Sequence, residues 1–121
     1  MAYINDEVFN QGLNYADTNG TRIDICSSEP ASYAAVAGVS LGNKAGLNTG
    51  ATQNGAVNGR RVIVPAITDG SVTGTGTATH WALTDASAIL VATGALSASQ
   101  AVTSGNTFTL DAISITIADA A

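Results

Sequence analysis

The chain has 121 residues, enough for one domain with a single core, and it carries a net charge of −5 with only four basic residues, Arg22, Lys44, Arg60 and Arg61. Scattered cations give no footprint for a phosphate backbone, so nucleic acid is excluded as a partner, and no apolar run approaches the ~20 residues that a membrane-spanning helix needs. One cysteine, Cys26, cannot form an internal disulfide, and charged residues make up 11% of the chain, against about 25% in an ordinary domain.

About half of the chain is Ala, Gly, Thr and Ser, side chains that lose little conformational entropy when a neighbour covers them. Such a surface suits contact with other protein, because the centres of interfaces are depleted in charge. The opening stretch MAYINDEVFNQG carries acids where an export signal carries lysines, and it lacks the apolar run that export requires. The first twelve residues read as an extended N-terminal arm with Tyr3, Ile4, Val8 and Phe9 as candidate partner contacts, ahead of a single β-sandwich domain over 13–121.

From there NYADTNGTRIDICSSEP reads as two extended pieces around Asn19-Gly20, a pair that supplies the positive φ angles of a tight hairpin. Alternation predicts Ile23 and Ile25 facing inward, with Arg22, Asp24 and Cys26 on the other face. PASYAAVAG is the best helical segment, of one or two turns, with Pro30 at its start and Gly38 as its stop. Residues 40–59, SLGNKAGLNTGATQNGAVNG, have little periodicity and read as a long loop.

The second half is strand-like throughout. RRVIVPAIT is a strand that Pro65 confines to an edge or a bulge, since proline cannot donate to a ladder. Asp69-Gly70 is read as a turn into SVTGTGTATHWALT, whose Thr-Gly alternation leaves one face thin until Trp81 and Leu83 point into the core. DASA turns into ILVATGAL, and AVTSGNTFTL reads as a further hairpin around Ser104-Gly105-Asn106. Phe108 and Leu110 fall on even positions whereas Ile113, Ile115 and Ile117 fall on odd ones, which requires a bulge or bend near Asp111-Ala112. Successive antiparallel hairpins predict an all-β fold, an antiparallel β-sandwich or flattened barrel with an extended N-terminal arm and one long loop or short helix.

Candidate chemistry is sparse. His80 and Trp81, the one histidine and the one tryptophan, are neighbours, and neighbours in a strand face opposite sides, so the pair cannot form one pocket. Trp81 is expected in the core, where burying 150–250 Å² contributes roughly 4–6 kcal/mol as an upper bound. A base at His80 needs a nucleophile and an orienting carboxylate, and no local signature supplies them, so no catalytic residue is assigned. A lone histidine without CxxC or HxxxH spacing gives no zinc site, and the Asp17–Asn19–Asp24 interval departs from a calcium loop. Gly74 and Gly76 precede neither a lysine nor a helix, so no phosphate loop is present, and no cofactor is expected. Tyr3, Tyr15 and Tyr33 are not spaced along one strand face as a sugar-stacking platform would require. Arg60 and Arg61 begin a strand on opposite faces, and a solvated strand end accounts for them.

The segments NGTRIDICSSEP, LGNKAGL and above all NGRRVIVPAITDGSVTGTGTATHWALTDASAILVATGALSASQAVTSGNTFTL resemble small virion-associated proteins of tailed bacteriophages. The likeness runs over roughly Asn19 to Ile117, and THWALTD…LSASQAVTSGNTF is its most specific portion. It implies a structural part of a virus particle, located in the virion after assembly in the bacterial cytoplasm, and it brings no catalytic residues. The expectation is a head decoration or cement protein that binds the major capsid protein or other virion proteins, is homo-oligomeric, and uses the arm and residues 40–59 as contacts. The alternative is a head-fibre, tail-fibre or baseplate β-domain that attaches to host glycan; a cell-wall hydrolase lacks its acid and base.

Overall fold

A computed structural model describes residues 6–55 and 59–117, the side chains of 6, 7 and 9 excepted. In chain order the elements are α1 (Asp6–Asn19), β1 (Arg22–Cys26), α2 (Tyr33–Val39), β2 (Ser40–Lys44), β3 (Gln53–Asn54) and β4 (Arg60–Val64). They continue with β5 (Ile67–Val72), β6 (Gly76–Thr84), β7 (Leu90–Val102), β8 (Thr107–Leu110) and β9 (Ile113–Ile117). Every strand pairing is antiparallel. A six-stranded sheet runs β7-β6-β1-β2-β5-β8 and a three-stranded sheet runs β3-β4-β9. The larger sheet curls until its two edge strands meet at one point, where the Gln100 side chain on β7 bonds the main chain of Thr109 on β8. This is the mostly β flattened barrel that the alternation predicts.

The main core fills the space inside the curl with Ile23 and Ile25 of β1, Trp81 and Leu83 of β6, Phe108 and Leu110 of β8, and Val64 and Ile67 at the crossing from β4 to β5. Trp81 is thus in the core, and Asp24 and Cys26 point to the opposite face as expected. That face is covered in turn: Val36 of α2 packs with Cys26 and Ala82. Helix α2 begins at Tyr33 because Ser32, not Pro30, is its cap, accepting from Ala35 N–H at 3.3 Å. Gly38 does not stop it, and the helix ends one residue later.

Four expectations fail for the same reason, that tertiary pairing overrides local signals. Residues 6–12 of the extended arm, and the extended piece expected before Asn19-Gly20, form helix α1. Its polar sequence, with three Asn, two Asp, one Thr and one Gly in 14 residues, has low helix propensity, and what stabilises it is Leu13 and Ala16 packed against Val62, Val91 and Ile115. Asn19-Gly20 is consequently a helix end and not a hairpin, with Gly20 N–H on Ala16 O at 2.8 Å. The 40–59 loop is corrected too: Ser40–Lys44 is an interior strand between β1 and β5, and Gln53–Asn54 pairs with β4. What remains between them is tied down, Leu47 N–H donating to Thr21 O and the buried Thr49 hydroxyl to Asp17 Oδ1 at 3.1 Å.

Asp69-Gly70 is likewise no turn but lies within β5, at a register shift opposite β8. The turn through Ser104-Gly105-Asn106 does form, yet the strands it joins diverge to opposite edges of the sheet, and its amides bond Val72 of β5. Asp111-Ala112 marks the foreseen change of register: the chain leaves the six-stranded sheet there and enters the three-stranded one. Pro65 does not put RRVIVPAIT at a sheet edge: it lies at the crossing that splits the segment into β4 and β5, both interior strands, where no donor is required.

The DASA turn is made as expected. Asp85 Oδ1 accepts from the main-chain N–H groups of Ser87, Ala88 and Ile89 at 2.8–2.9 Å, which holds its carboxyl below the ordinary value of 3.8. A depressed carboxyl contributes stability that is present above 3.8 and lost as pH falls through its folded value. Asp85→Asn should therefore be less stable than the parent at pH 6, with the gap closing as the pH is lowered below 3.8, measured by urea denaturation across pH.

Two ring-on-glycine pairs fix the strand registers. Trp81 lies directly opposite Gly94 and Phe108 opposite Gly70, and a Cβ on Gly70 would fall 2.3 Å from the Phe108 ring. Phe108 is buried and has nowhere to move. Gly70→Ala should cost at least ~2 kcal/mol by overpacking, whereas Gly74→Ala, whose Cβ would meet Leu41 at an ordinary 3.6 Å, should stay within about 0.5 kcal/mol in chemical denaturation.

Candidate functional site

His80 and Trp81 face opposite sides of β6, as strand geometry requires. The Thr79 hydroxyl donates its one proton to Ser27 O at 2.9 Å, so at the 2.9 Å contact with His80 Nδ1 it must accept, which assigns the ring proton to Nδ1. Nε2 then faces Glu29 Oε2 at 3.8 Å, too far for a hydrogen bond. Thr79 is committed to the main chain and offers no nucleophile; its hydroxyl ties β6 to the residue after β1, and the histidine ring rests on that hydroxyl.

Several other charged groups are spent on structure. Asp24, 1% exposed, accepts from Arg22 Nε at 2.9 Å, Arg22 Nη2 at 3.1 Å and Ser40 Oγ at 2.7 Å, so its buried charge is fully paired. The same contact pushes the Arg22 pKa up. Arg60 reaches Asn10 at 2.9 Å and Asn54 at 2.6 Å, clasping α1 and β3, while Arg61 spans to Ser114 on β9 at 3.4 Å, so neither is a merely solvated strand end. Asp17 accepts from Thr49 and Asn19 caps α1 through Tyr15 O, which leaves the Asp17–Asn19–Asp24 interval without a common focus. Among the described residues no cluster of His, Cys, Asp and Glu could hold a metal ion, and no helix is long and apolar enough to cross a membrane.

Of the candidate partner contacts, Val8 stands on the outer face of α1 with 63% of its surface exposed. Tyr3, Ile4 and the Phe9 side chain lie outside the described residues. Tyr15, two turns beyond Val8, is also exposed, and Ile117 of β9 lies beside Gly12 between them. The tyrosines give no sugar platform, since Tyr15 is on α1 and Tyr33 on α2.

A groove opens elsewhere. It measures about 540 Å³ and runs along the seam where the curled sheet fails to close, with Gly94–Gln100 of β7 as one wall, Thr109–Ser114 as the other, and Trp81 at its floor. The seam exists because β7 is too long for its partner. Between the pairs Ala78↔Gln100 and His80↔Ala95, two steps on β6 face five on β7, so Leu96–Ser99 have no partner on β6. On its other side β7 is the sheet edge. Gln100 alone crosses the gap, its Nε2 donating to Thr109 O at 2.9 Å and its Oε1 accepting from Thr109 N–H at 3.4 Å. A side-chain amide there makes the two bonds that a paired peptide would make.

Gly94 shapes the floor: a Cβ at that position would fall 2.7–2.8 Å from Cζ2, Cε2 and Nε1 of Trp81, so the glycine lets the indole lie against β7 with its pyrrole edge beside the groove. The lining carries one charged side chain, Asp111; the rest is main chain, Ser, Ala, Thr, Gln and a few apolar groups. Sequence reasoning missed this site. Its one legible signal is the run of small residues GALSASQA, long and featureless for a paired strand, downstream of the glycine that receives the tryptophan.

No protein-family model, curated protein or solved structure matches the chain.

Cys26 is buried beneath α2, and desolvation, with a smaller contribution from the Asp24 charge, pushes its thiol up to about 11. A raised thiol contributes stability that is complete below its ordinary value of 9.0 and lost as pH rises towards 11. The native protein should resist a thiol-specific reagent at pH 8 until it unfolds, and part of its loss of stability between pH 9.0 and 11 should vanish in Cys26→Ala, measured by denaturation at each pH.

Proposed function

We propose that this chain is a non-enzymatic structural protein of a bacteriophage particle, a head decoration or cement protein bound to the outer capsid lattice. The observation that carries the proposal is the nature of the groove at the open seam. Exposed strand edges and small uncharged side chains form it, which is chemistry for holding another polypeptide. The resemblance over Asn19–Ile117 supports the same reading, as do a low surface charge and apolar side chains left exposed at Val8, Tyr15 and Ile89.

Docking of this kind works through area. A patch of ~800 Å² per partner makes a standard interface, and repetition over a lattice strengthens each contact by avidity. With residues 6–12 in α1, the contact from that end of the chain is a helix face presenting Val8, and not an extended arm. A second reading, attachment to host glycan, draws on the polar rim of the groove, where Ser97, Ser99, Gln100 and Asp111 offer hydroxyl, amide and carboxylate groups. Against it, Trp81 is 8% exposed and has no free ring face on which a sugar could stack.

Stained gels of purified particles test the assignment. Decoration requires on the order of hundreds of copies per head, lattice-wide occupancy being the source of the avidity, whereas an attachment fibre is present in a few copies. Absence of the chain from the particles would reject both.

A further inference from the structure

We infer that the seam between β7 and the β8–β9 crossing accepts an extended, uncharged polypeptide segment from a neighbouring subunit, which adds as a strand to the free edge of β7 at Leu96–Ser99. The occupant rests on the docking role proposed above; the strand chemistry rests on the groove.

Three independent features point to a peptide. First, the sheet edges are not equivalent. β3 has two residues, and the outer side of β8 is met by the Gln100 amide. Leu96–Ser99 has neither protection: no partner on β6, no strand beyond it, and three exposed residues, Ser97, Ala98 and Ser99. Such a row of unpaired donors and acceptors is what strand addition uses.

Second, the seam already holds an amide. Gln100 makes with Thr109 the donor and acceptor pair that a neighbouring strand would make, so the position that a peptide group would occupy is marked by one. Third, the indole N–H of Trp81 is unpartnered. Among the described residues no acceptor meets Nε1, and the atom borders Gly94 at the groove wall. A donor that reaches the groove without a protein acceptor is free to bond a carbonyl of an added strand beside Gly94. The wall from Gly94 to Gln100 accommodates about 20 Å of extended chain at ~3.3 Å per residue. Asp111 being the one charge in the lining, a neutral segment with small side chains fits best. A sugar would need the ring face that Gly94 and β7 cover.

The test uses the isolated full-length chain, so its result does not depend on whether the protein belongs to a particle, which the gel assay decides separately. The probe is a pool of end-capped hexapeptides randomised over Gly, Ala, Ser, Thr and Val, titrated to about 1 mM. Trp81, the only tryptophan, reports occupancy through its emission, and amide hydrogen exchange reports pairing. The expected result is an emission shift together with at least about tenfold slower exchange at Leu96–Ser99. Ser97→Pro, which removes one main-chain donor at an exposed, unpaired position, should abolish the protection and keep the denaturation midpoint. Trp81→Phe, read by exchange, should weaken it about five-fold through loss of one hydrogen bond. The same pool with N-methylated backbones should not bind. Equal binding of the methylated pool, no protection at 1 mM, or a response to neutral oligosaccharides in place of peptides would each overturn the inference.

Discussion

Trp81 lying across Gly94 is the contact on which the rest of this structure depends. A chain with 5% aromatic residues has few large groups with which to fill a core, and each must be placed where a neighbour makes room. On β6 and β7 that room is the missing side chain of Gly94; on β5 and β8 it is the missing side chain of Gly70, covered by Phe108. The two pairs sit at opposite edges of the same sheet and both rings point inward. Slipping either strand by one residue would bring a Cβ under a ring and turn every neighbouring side chain to the wrong face. Filling the core from both edges is also what curls the sheet, since the rings and the isoleucines of β1 pack into one cluster only when β7 and β8 approach.

The curl leaves a seam because β7 carries three more residues than its partner can pair. Gln100 joins the walls at one end, and the main chain beside it remains open. Protein edges are ordinarily blunted by charge, proline or brevity, and this one carries small neutral side chains instead. The same economy holds elsewhere. Arg22 with Asp24, Arg60 with its two asparagines, Lys44 with Asp69 at 3.0 Å and Asp85 in its turn are all engaged in holding elements together. Little charge is left to keep other polypeptides away, which is the physical basis for reading the molecule as one that works in contact with others.

Much of the interior was legible in advance, for a reason that particular residues make plain. Ile23 and Ile25 against Asp24 and Cys26, Trp81 and Leu83 against His80, and the change of parity between Leu110 and Ile113 are all consequences of a period of two, which a strand cannot evade. The DASA turn was legible because Asp85 supplies its own acceptor to three amides. Helix α1 was not, because its residues favour helix only once Leu13 and Ala16 have β4 and β9 to pack against. Nor was Ser40–Lys44: SLGNK carries no strand pattern, and its place between β1 and β5 is dictated by its neighbours' unpaired edges.

By itself, then, the order of residues determined the strand class, which faces turn inward and the burial of the tryptophan, since these depend on spacing along one chain. Which strands became neighbours, that an apparent extended arm became a helix and part of an apparent loop an interior strand, and that the barrel stays unzipped beside Gln100 were decided in three dimensions. Those outcomes depend on pairings between distant segments, where a length mismatch of a few residues leaves backbone exposed and no local signal records it.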